Sequence, residues 1–177
     1  MNKIIKDQTR LEKLVENILL ISKVEEHELH LEREKVNCRE FIESVIKGLD
    51  LSESTKFDID SEIEIKIDRF YFTSVIQNLH ENAIKYSKAK EQIVWSAHQL
   101  GNSIFIQIKD QGIGVPFDQR EKIFDLFHRI GDENTRDTKG TGVGLYIVQK
   151  IVALHRGIIK TKDNQPQGSI FEIELPQ

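Results

Sequence analysis

The chain has 177 residues, 31% of them charged and 38% hydrophobic, with a net charge of −4. That balance excludes a general nucleic-acid binder, because no basic stripe is present to neutralise phosphates. The single cysteine, Cys38, excludes an internal disulfide framework and suits a reducing compartment. Purely apolar runs such as residues 18–21 fall far short of the ~20 residues needed to span a bilayer. The start lacks a signal-peptide pattern, so the chain as given is expected to be soluble and cytoplasmic. The length suits one domain with a sizeable core and one appendage.

Residues 3–26 are predicted to form one long helix, about 35 Å at 1.5 Å per residue. Ile4, Leu11 and Ile18 share one heptad position and Leu14 and Ile21 the complementary one, while Val15, Leu19 and Val24 widen the stripe. Such a stripe needs a partner. Either the helix folds back on its own domain or it pairs with a second copy, and the heptad spacing favours pairing between chains.

Residues 29–36 alternate weakly and suggest a short strand. Asn37 followed by Glu40 resembles a capping box and opens a helix to about Leu49, with Phe41, Val45, Ile46 and Leu49 inward. Short strands are expected at 56–60 and 63–67. Residues 68–87 follow as the central helix, with Asp68 as N-cap and Phe72, Val75, Ile76, Leu79 and Ala83 as its apolar stripe. On this helix Asn78, Asn82 and Lys85 recur at i, i+4 and i+7, with Tyr86 beside them, so two amides, an ammonium and a phenol share one edge.

Residues 92–99 and 103–109 are expected to form a hairpin around Gly101-Asn102. Pro116 fits the first turn of a short helix ending near Phe127. Residues 128–139 are polar, without an apolar period, and suggest a flexible segment. A helix at 144–154 and strands at 157–162 and 169–175, joined by a turn at 164–168, complete the chain. The order predicts an α+β sandwich: an antiparallel or mixed sheet with helices on one face, and no internal repeat.

Two glycine clusters follow the central helix, DQGIG at 110–114 and KGTGVGL at 139–145. Asp110 ends a predicted strand, where its carboxylate can accept a hydrogen bond from the exocyclic amine of adenine. Gly112 and Gly114 let the backbone approach a flat base, although for DQGIG alone a simple strand-to-loop turn is the favoured reading. Gly140, Gly142 and Gly144 precede a helix, where successive N–H groups can face an anion. A hinge is the alternative. The spacing is neither the dinucleotide fingerprint nor the GxxxxGK[ST] loop. Asn82 can offer an amide oxygen to Mg²⁺. Asn78 can orient a water or the incoming nucleophile, and Lys85 can meet phosphate as a point charge. Arg129 and Lys139 can offset charge on a transferring phosphoryl group, or Lys139 can be a solvated loop charge. HELH at 27–30 looks like a phospho-acceptor or metal pair, but without a third ligand a solvated surface is favoured. His80 suits a packed role, and His155 suits a partner for a helix C-terminus.

With these residues placed, the chain resembles the ATP-binding catalytic domain of a sensor histidine kinase, in the ATPase superfamily shared with gyrase, mismatch-repair ATPases and a heat-shock chaperone. NLHENAIKYS at 78–87 resembles the N box, DQGIG the first glycine box and Phe124 with Phe127 the F box. KGTGVGL resembles the second glycine box, and GSIFEIELP at 168–176 the last strand. They occur in family order over about residues 37–177. The resemblance implies a Bergerat-type two-layer α/β sandwich that binds ATP with Mg²⁺. Asp110 would read adenine beside Gly112, Ile113 and Gly114, and Asn82 would hold the metal. Asn78, Lys85 and Arg129 would serve phosphoryl transfer, and 128–139 would be the ATP lid. Tyr86, Lys139, Gly140, Thr141, Gly142, Val143, Gly144 and Leu145 would complete the nucleotide contacts.

Residues 1–28 resemble the second helix of the family's dimerisation hairpin, leaving 29–177 as the catalytic domain. The first hairpin helix, which carries the phospho-accepting histidine, is missing from the pattern. His27 precedes Glu28 but no proline, so it is not expected to be phosphorylated. His80 stands where an apolar residue is usual, and Arg156 replaces the first glycine of the usual pair. The expected function is transfer of the ATP γ-phosphoryl to a histidine outside this chain, on its own missing helix or another polypeptide, for relay to an aspartate of a response regulator. Alone, the chain is expected not to autophosphorylate. A homodimer through 3–26 is expected, and any membrane anchor would lie elsewhere in a longer protein. The alternative is a nucleotide-gated dimerising clamp of the gyrase type, although clamps place a glutamate where Asn78 stands.

Overall fold

Alternation of apolar and polar residues builds a five-stranded sheet at the centre of the structure, a computed structural model that describes residues 3–25, 30–49, 55–87, 92–130 and 141–177. Its order is β2 (Thr55–Ile59), β4 (Ile93–Leu100), β5 (Ser103–Lys109), β7 (Ser169–Pro176) and β6 (Ile158–Asp163). The β2–β4 pairing is parallel and the others antiparallel, so the sheet is mixed but mostly antiparallel. Register sets one apolar row across three strands, Trp95 opposite Ile108 opposite Phe171, and a second of Ala97, Ile106 and Ile173. All six are buried, so one sheet face is core. The opposite face is more polar, although Phe105 stacks on His98 within it. There Gln107 and Lys162 hydrogen-bond Glu172 at 2.6 and 2.7 Å. Burial opposes ionisation of Glu172, yet these bonds hold its carboxyl below the usual range.

Three helices cover the apolar face: α2 (Cys38–Gly48), α3 (Arg69–Tyr86) and α4 (Gly144–Leu154). Asn37 caps α2 by accepting the Glu40 N–H at 2.9 Å, and Asp68 caps α3 by accepting that of Tyr71 at 3.2 Å, as their positions predicted. The predicted stripe of α3 is buried throughout. His80 is packed, accepting the Trp95 indole N–H on Nδ1 at 3.3 Å. Burial pushes the Cys38 thiol up to about 12. The result is the α+β sandwich that the order of elements predicted.

Three local details differ from the sequence-based expectation. The first strand, β1, covers Glu34–Asn37 rather than 29–36, and residue 29 lies outside the described residues. Its partner β3 is the short Glu64–Ile67, which stops where Asp68 turns to cap α3, so residues 30–33 have no strand to pair with. These two strands form a separate ribbon rather than joining the main sheet. Second, the helix expected after Pro116 is two 3-10 turns, Phe117–Gln119 and Lys122–Phe124. Only Ile123 and Phe124 bury there, too little apolar surface to support an α-helical stripe. Third, α1 (Lys3–Glu25) divides its stripe. Leu20 and Ile21 pack on the core, while Leu11, Val15, Ile18 and Leu19 are 50–63% exposed. The side chains of Ile4 and Val24 lie outside the described ones.

His155 corrects one expectation. It does sit at the C-terminal end of α4, against the Ile151 carbonyl, but as a buried imidazole rather than a cation. Its Nε2 accepts the Asp68 N–H at 2.9 Å and its Nδ1 lies 2.7 Å from the Ile151 carbonyl. Burial lowers its pKa below 6.5, nearby Arg33 adds to this, and the Ile151 bond and Asp68 only partly oppose it. The unfolded chain therefore binds the extra proton first. Stability is fully present above pH 6.5 and declines as pH falls from there through the native value. NMR titration should show His155 neutral at pH 6.5, whereas a midpoint at or above 6.5 would contradict its burial as a neutral acceptor.

Arg156 takes a left-handed conformation (φ 61°) where the family pattern has glycine. Arg156→Gly should stabilise the fold by about 1 kcal/mol, read as a rise in the urea midpoint, because only glycine enters that region without a steric cost.

Candidate functional site

The three stretches singled out in the sequence meet at the C-terminal half of α3. Asn78 is buried on its edge, with its Nδ2 donating to the Ser74 carbonyl at 2.8 Å. That bond leaves Oδ1 directed at the start of α4, where a Cβ on Gly144 would lie 2.5 Å from it. One end of the second glycine cluster thus rests directly on the first asparagine. About two turns along, a Cβ on Gly112 would lie 2.5 Å from the Tyr86 carbonyl oxygen, so the first glycine cluster rests on the end of the same helix. Both approaches are too close for any side chain at those positions, which gives the two glycines a physical reason.

Asp110 is buried where β5 runs out into this loop. Its Oδ1 accepts the Gly112 N–H at 2.8 Å and the Ser169 N–H at 3.1 Å. Its own N–H donates to the Ser169 carbonyl at 3.0 Å, extending the β5–β7 ladder by one bond. The carboxylate is therefore fixed in orientation before any ligand arrives. Ile113, beyond it, is 71% exposed, and Gly114 sits with φ 77° against the Gly168 carbonyl.

Asn82 and Lys85 are half-buried on the edge that carries Asn78. The Lys85 ammonium donates to the Tyr86 hydroxyl at 3.0 Å. The second cluster continues as Thr141, Gly142, the fully buried Val143, Gly144 and Leu145. Gly142 accepts the Phe127 N–H at 3.0 Å, so the 3-10 segment carrying Phe124 and Phe127 docks on this cluster. Arg129 is half-buried two residues further on. Lys139 and Gly140, with the rest of 131–140, lie outside the described residues, as do His27 and Glu28.

The electrostatics suit an anion. The helices α2 and α3 are capped by Asn37 and Asp68, but the N-cap of α4 is Val143, which has no side-chain acceptor, and its first turn carries no acidic residue. With no side-chain cap from Val143, the start of α4 keeps the partial positive charge of a helix N-terminus, which favours an anion. For a cation the donor set is sparse. Among the described residues no cluster of three or more His, Cys, Asp and Glu could hold a metal. A single Asn82 amide oxygen fits Mg²⁺ only if phosphates and water supply the other ligands, the arrangement Mg²⁺ prefers. A separate open hollow of about 440 Å³, lined by His30, Glu34, Arg69 and Phe70 among others, lies at the other end of α3 and holds none of these residues.

Inspection of the sequence missed the part played by the turn between β6 and β7. Ser169 bonds Asp110 at two points, Asn164 donates to the Asp110 carbonyl at 2.7 Å, and Gly168 packs against that same carbonyl. In the sequence these residues carried only a turn signal, since contact with Asp110 depends on the strand order.

Comparison with known proteins agrees with this arrangement. Residues 67–177 match the family described as histidine kinase-, DNA gyrase B- and HSP90-like ATPases. The chain is 36% identical over 173 residues to sensor protein kinase WalK of Staphylococcus haemolyticus (strain JCSC1435), covering 94% of this chain and 28% of WalK. It is 34% identical over 182 residues to sensor protein RprX of Bacteroides fragilis (strain YCH46), covering 98% of this chain and 35% of RprX. It thus spans about a third or less of these relatives. Among solved structures, Acinetobacter baumannii histidine kinase AdeS superposes with a TM-score of 0.80 at 25% identity, over 99% of this chain and 85% of that one. Histidine kinase ThkA, solved in complex with response regulator TrrA, gives 0.73 at 25% identity, over 98% of this chain and 49% of that one. No helix of the described residues is long and apolar enough to cross a membrane. By motif order, sheet topology and family match together, the chain belongs to the histidine kinase-, DNA gyrase B- and HSP90-like ATPase family.

Proposed function

We propose that this chain is the ATP-binding catalytic part of a two-component sensor histidine kinase. It moves the γ-phosphoryl of ATP to a histidine that this chain does not carry, and a response-regulator aspartate receives it next. The observation that carries the proposal is the meeting of both glycine clusters on one edge of α3, at Asn78 and at Tyr86. The similarity to sensor kinases over nearly the whole chain supports it, and the ThkA–TrrA complex supports a response regulator as partner.

In this proposal Asp110 accepts from the adenine amine, with its carboxylate already oriented by Gly112 and Ser169. Gly112, Ile113 and Gly114 lie along the base, and Tyr86 and Lys85 border it from the end of α3. Gly140, Thr141, Gly142, Val143, Gly144 and Leu145 present backbone N–H groups to the phosphates, with the uncapped start of α4 adding its field. Asn82 holds Mg²⁺, which neutralises charge on the phosphate oxygens. Arg129 and Lys139 close over the γ-phosphate and offset the charge that spreads onto it during transfer. Asn78 orients the incoming nucleophile. An amide is a poor base for activating water, which favours transfer to a histidine over hydrolysis.

Residues 1–28 form the dimerisation element and 29–177 the catalytic domain. The outward row Leu11, Val15, Ile18 and Leu19 on α1 is covered in a homodimer by a histidine-bearing hairpin, from a longer form of this protein or another chain. The catalytic part works in the cytoplasm, and the longer protein carries any membrane anchor.

The test is incubation with labelled Mg-ATP, with and without a separate histidine-bearing hairpin. Acid-labile phosphate is expected on the hairpin and none on this chain. Phosphate on a histidine of this chain would contradict the proposal. Steady ATP hydrolysis faster than transfer would favour the gyrase-type clamp. Asn82→Ala should lower ATP affinity chiefly when magnesium is present, as calorimetry in Mg²⁺ and in EDTA would show, and an equal loss in both would remove Asn82 as metal ligand.

A further inference from the structure

The β5–β7 ladder reaches Asp110 through its N–H and stops there. The Asp110 carbonyl, which sets the direction of the loop to Gly112, lies beyond the ladder and is held instead by the Asn164 side chain at 2.7 Å. Asn164 is itself fastened at both ends. Its Oδ1 accepts the Gln165 N–H at 3.0 Å and its backbone N–H donates to the Gly168 carbonyl at 3.0 Å. One residue earlier, Asp163 pairs with Arg120 and braces the turn against the 3-10 segment.

We infer that Asn164 is a positioning residue for base recognition, an arm from the β6–β7 turn that fixes the Asp110–Gln111 peptide. With that peptide held, the Gly112 N–H stays on the Asp110 carboxylate and the carboxylate keeps its angle toward the base. The requirement is specific to an amide. Nδ2 must donate to one carbonyl while Oδ1 accepts from the next residue, and no carboxylate can do the first. Asn164→Asp keeps the acceptor and opposes a carboxylate to the Asp110 carbonyl, whereas Asn164→Ala removes both contacts. Asn164 has this role only if Asp110 reads adenine as proposed above.

The test is calorimetric titration of the 177-residue chain and its variants with Mg-ATP and with Mg-GTP, each protein checked by a thermal melt. Both Asn164 variants should lose roughly three- to tenfold in ATP affinity, the worth of one part-buried hydrogen bond, with Asn164→Asp the worse. Affinity for GTP should barely move, so discrimination between the bases narrows while magnesium dependence persists. A merely structural turn residue would lower the melting temperature and leave the ATP-to-GTP ratio as it was, and that outcome overturns the inference. So does wild-type ATP affinity in both variants. Asp110→Asn separates the two levels of failure. If it loses ATP and the Asn164 variants do not, only the positioning role falls; if it binds ATP like wild type, base reading by Asp110 falls and Asn164 with it.

Discussion

Gly168→Ala is expected to abolish measurable ATP binding at micromolar protein and to lower the melting temperature. Gly168 has φ 115°, which a residue with a Cβ rarely adopts, and a Cβ there would run into the Asp110 carbonyl and lie 2.8 Å from the Gln111 Cα. Both obstacles are backbone, so no rotamer change relieves them. The turn must retreat, and it takes with it the Ser169 and Asn164 bonds that hold Asp110. Strain of about 1–3 kcal/mol at such a position predicts a fall in melting temperature of roughly 2–12 °C for a chain of this size. A calorimetric titration alongside a thermal melt checks both effects. Wild-type affinity and melting in this variant would mean that the turn does not press on Asp110.

Asp110→Asn should separate recognition from folding. The carboxylate Oδ1 takes N–H groups from Gly112 and Ser169. An asparagine can satisfy both only by placing its oxygen there, which puts the NH₂ at the other position. The adenine amine then meets a donor instead of an acceptor. Loss of a charge-assisted hydrogen bond, about 1.5–3 kcal/mol, corresponds to a ten- to 150-fold weaker ATP complex. Melting should change little, because the pairing to Gly112 and Ser169 survives. An unchanged dissociation constant would remove Asp110 from base recognition.

The helices were legible because each carried its own punctuation. Asp68 before an apolar stripe and Asn37 three residues before Glu40 both cap as their chemistry requires. The alternation of Ile104, Ile106 and Ile108 placed β5 to the residue. Asn78, Asp110 and the glycines were legible as residue types at family spacing, and α3 does bring the clusters together. What was not legible depends on partners distant in the chain. The length of β1 is set by β3, and its separation from the main sheet by topology. The neutral role of His155 depends on Asp68, 87 positions away, which a view of α4 alone could not supply. Asn164 and Gly168 gain their meaning only once β7 lies beside β5.

The division of α1 has the same origin. Its heptad spacing suggested a single seam, but Ile21 turns toward the core while Leu11 and Ile18 face outward. Helix α4 supplies the surface that takes the inward part. The partition gives the core its share of the apolar stripe and leaves Leu11, Val15, Ile18 and Leu19 exposed.

The most direct measurement is titration of the wild-type chain with ATP in the presence of Mg²⁺ and again in EDTA, with GTP as the competitor. Saturable one-to-one binding that weakens without the metal and prefers adenine over guanine is the expected result, since base, phosphates and metal would then be gripped by a single edge of α3. No binding at millimolar ATP, or binding indifferent to both metal and base, would contradict a shared site at Asn78, Asp110 and Gly144.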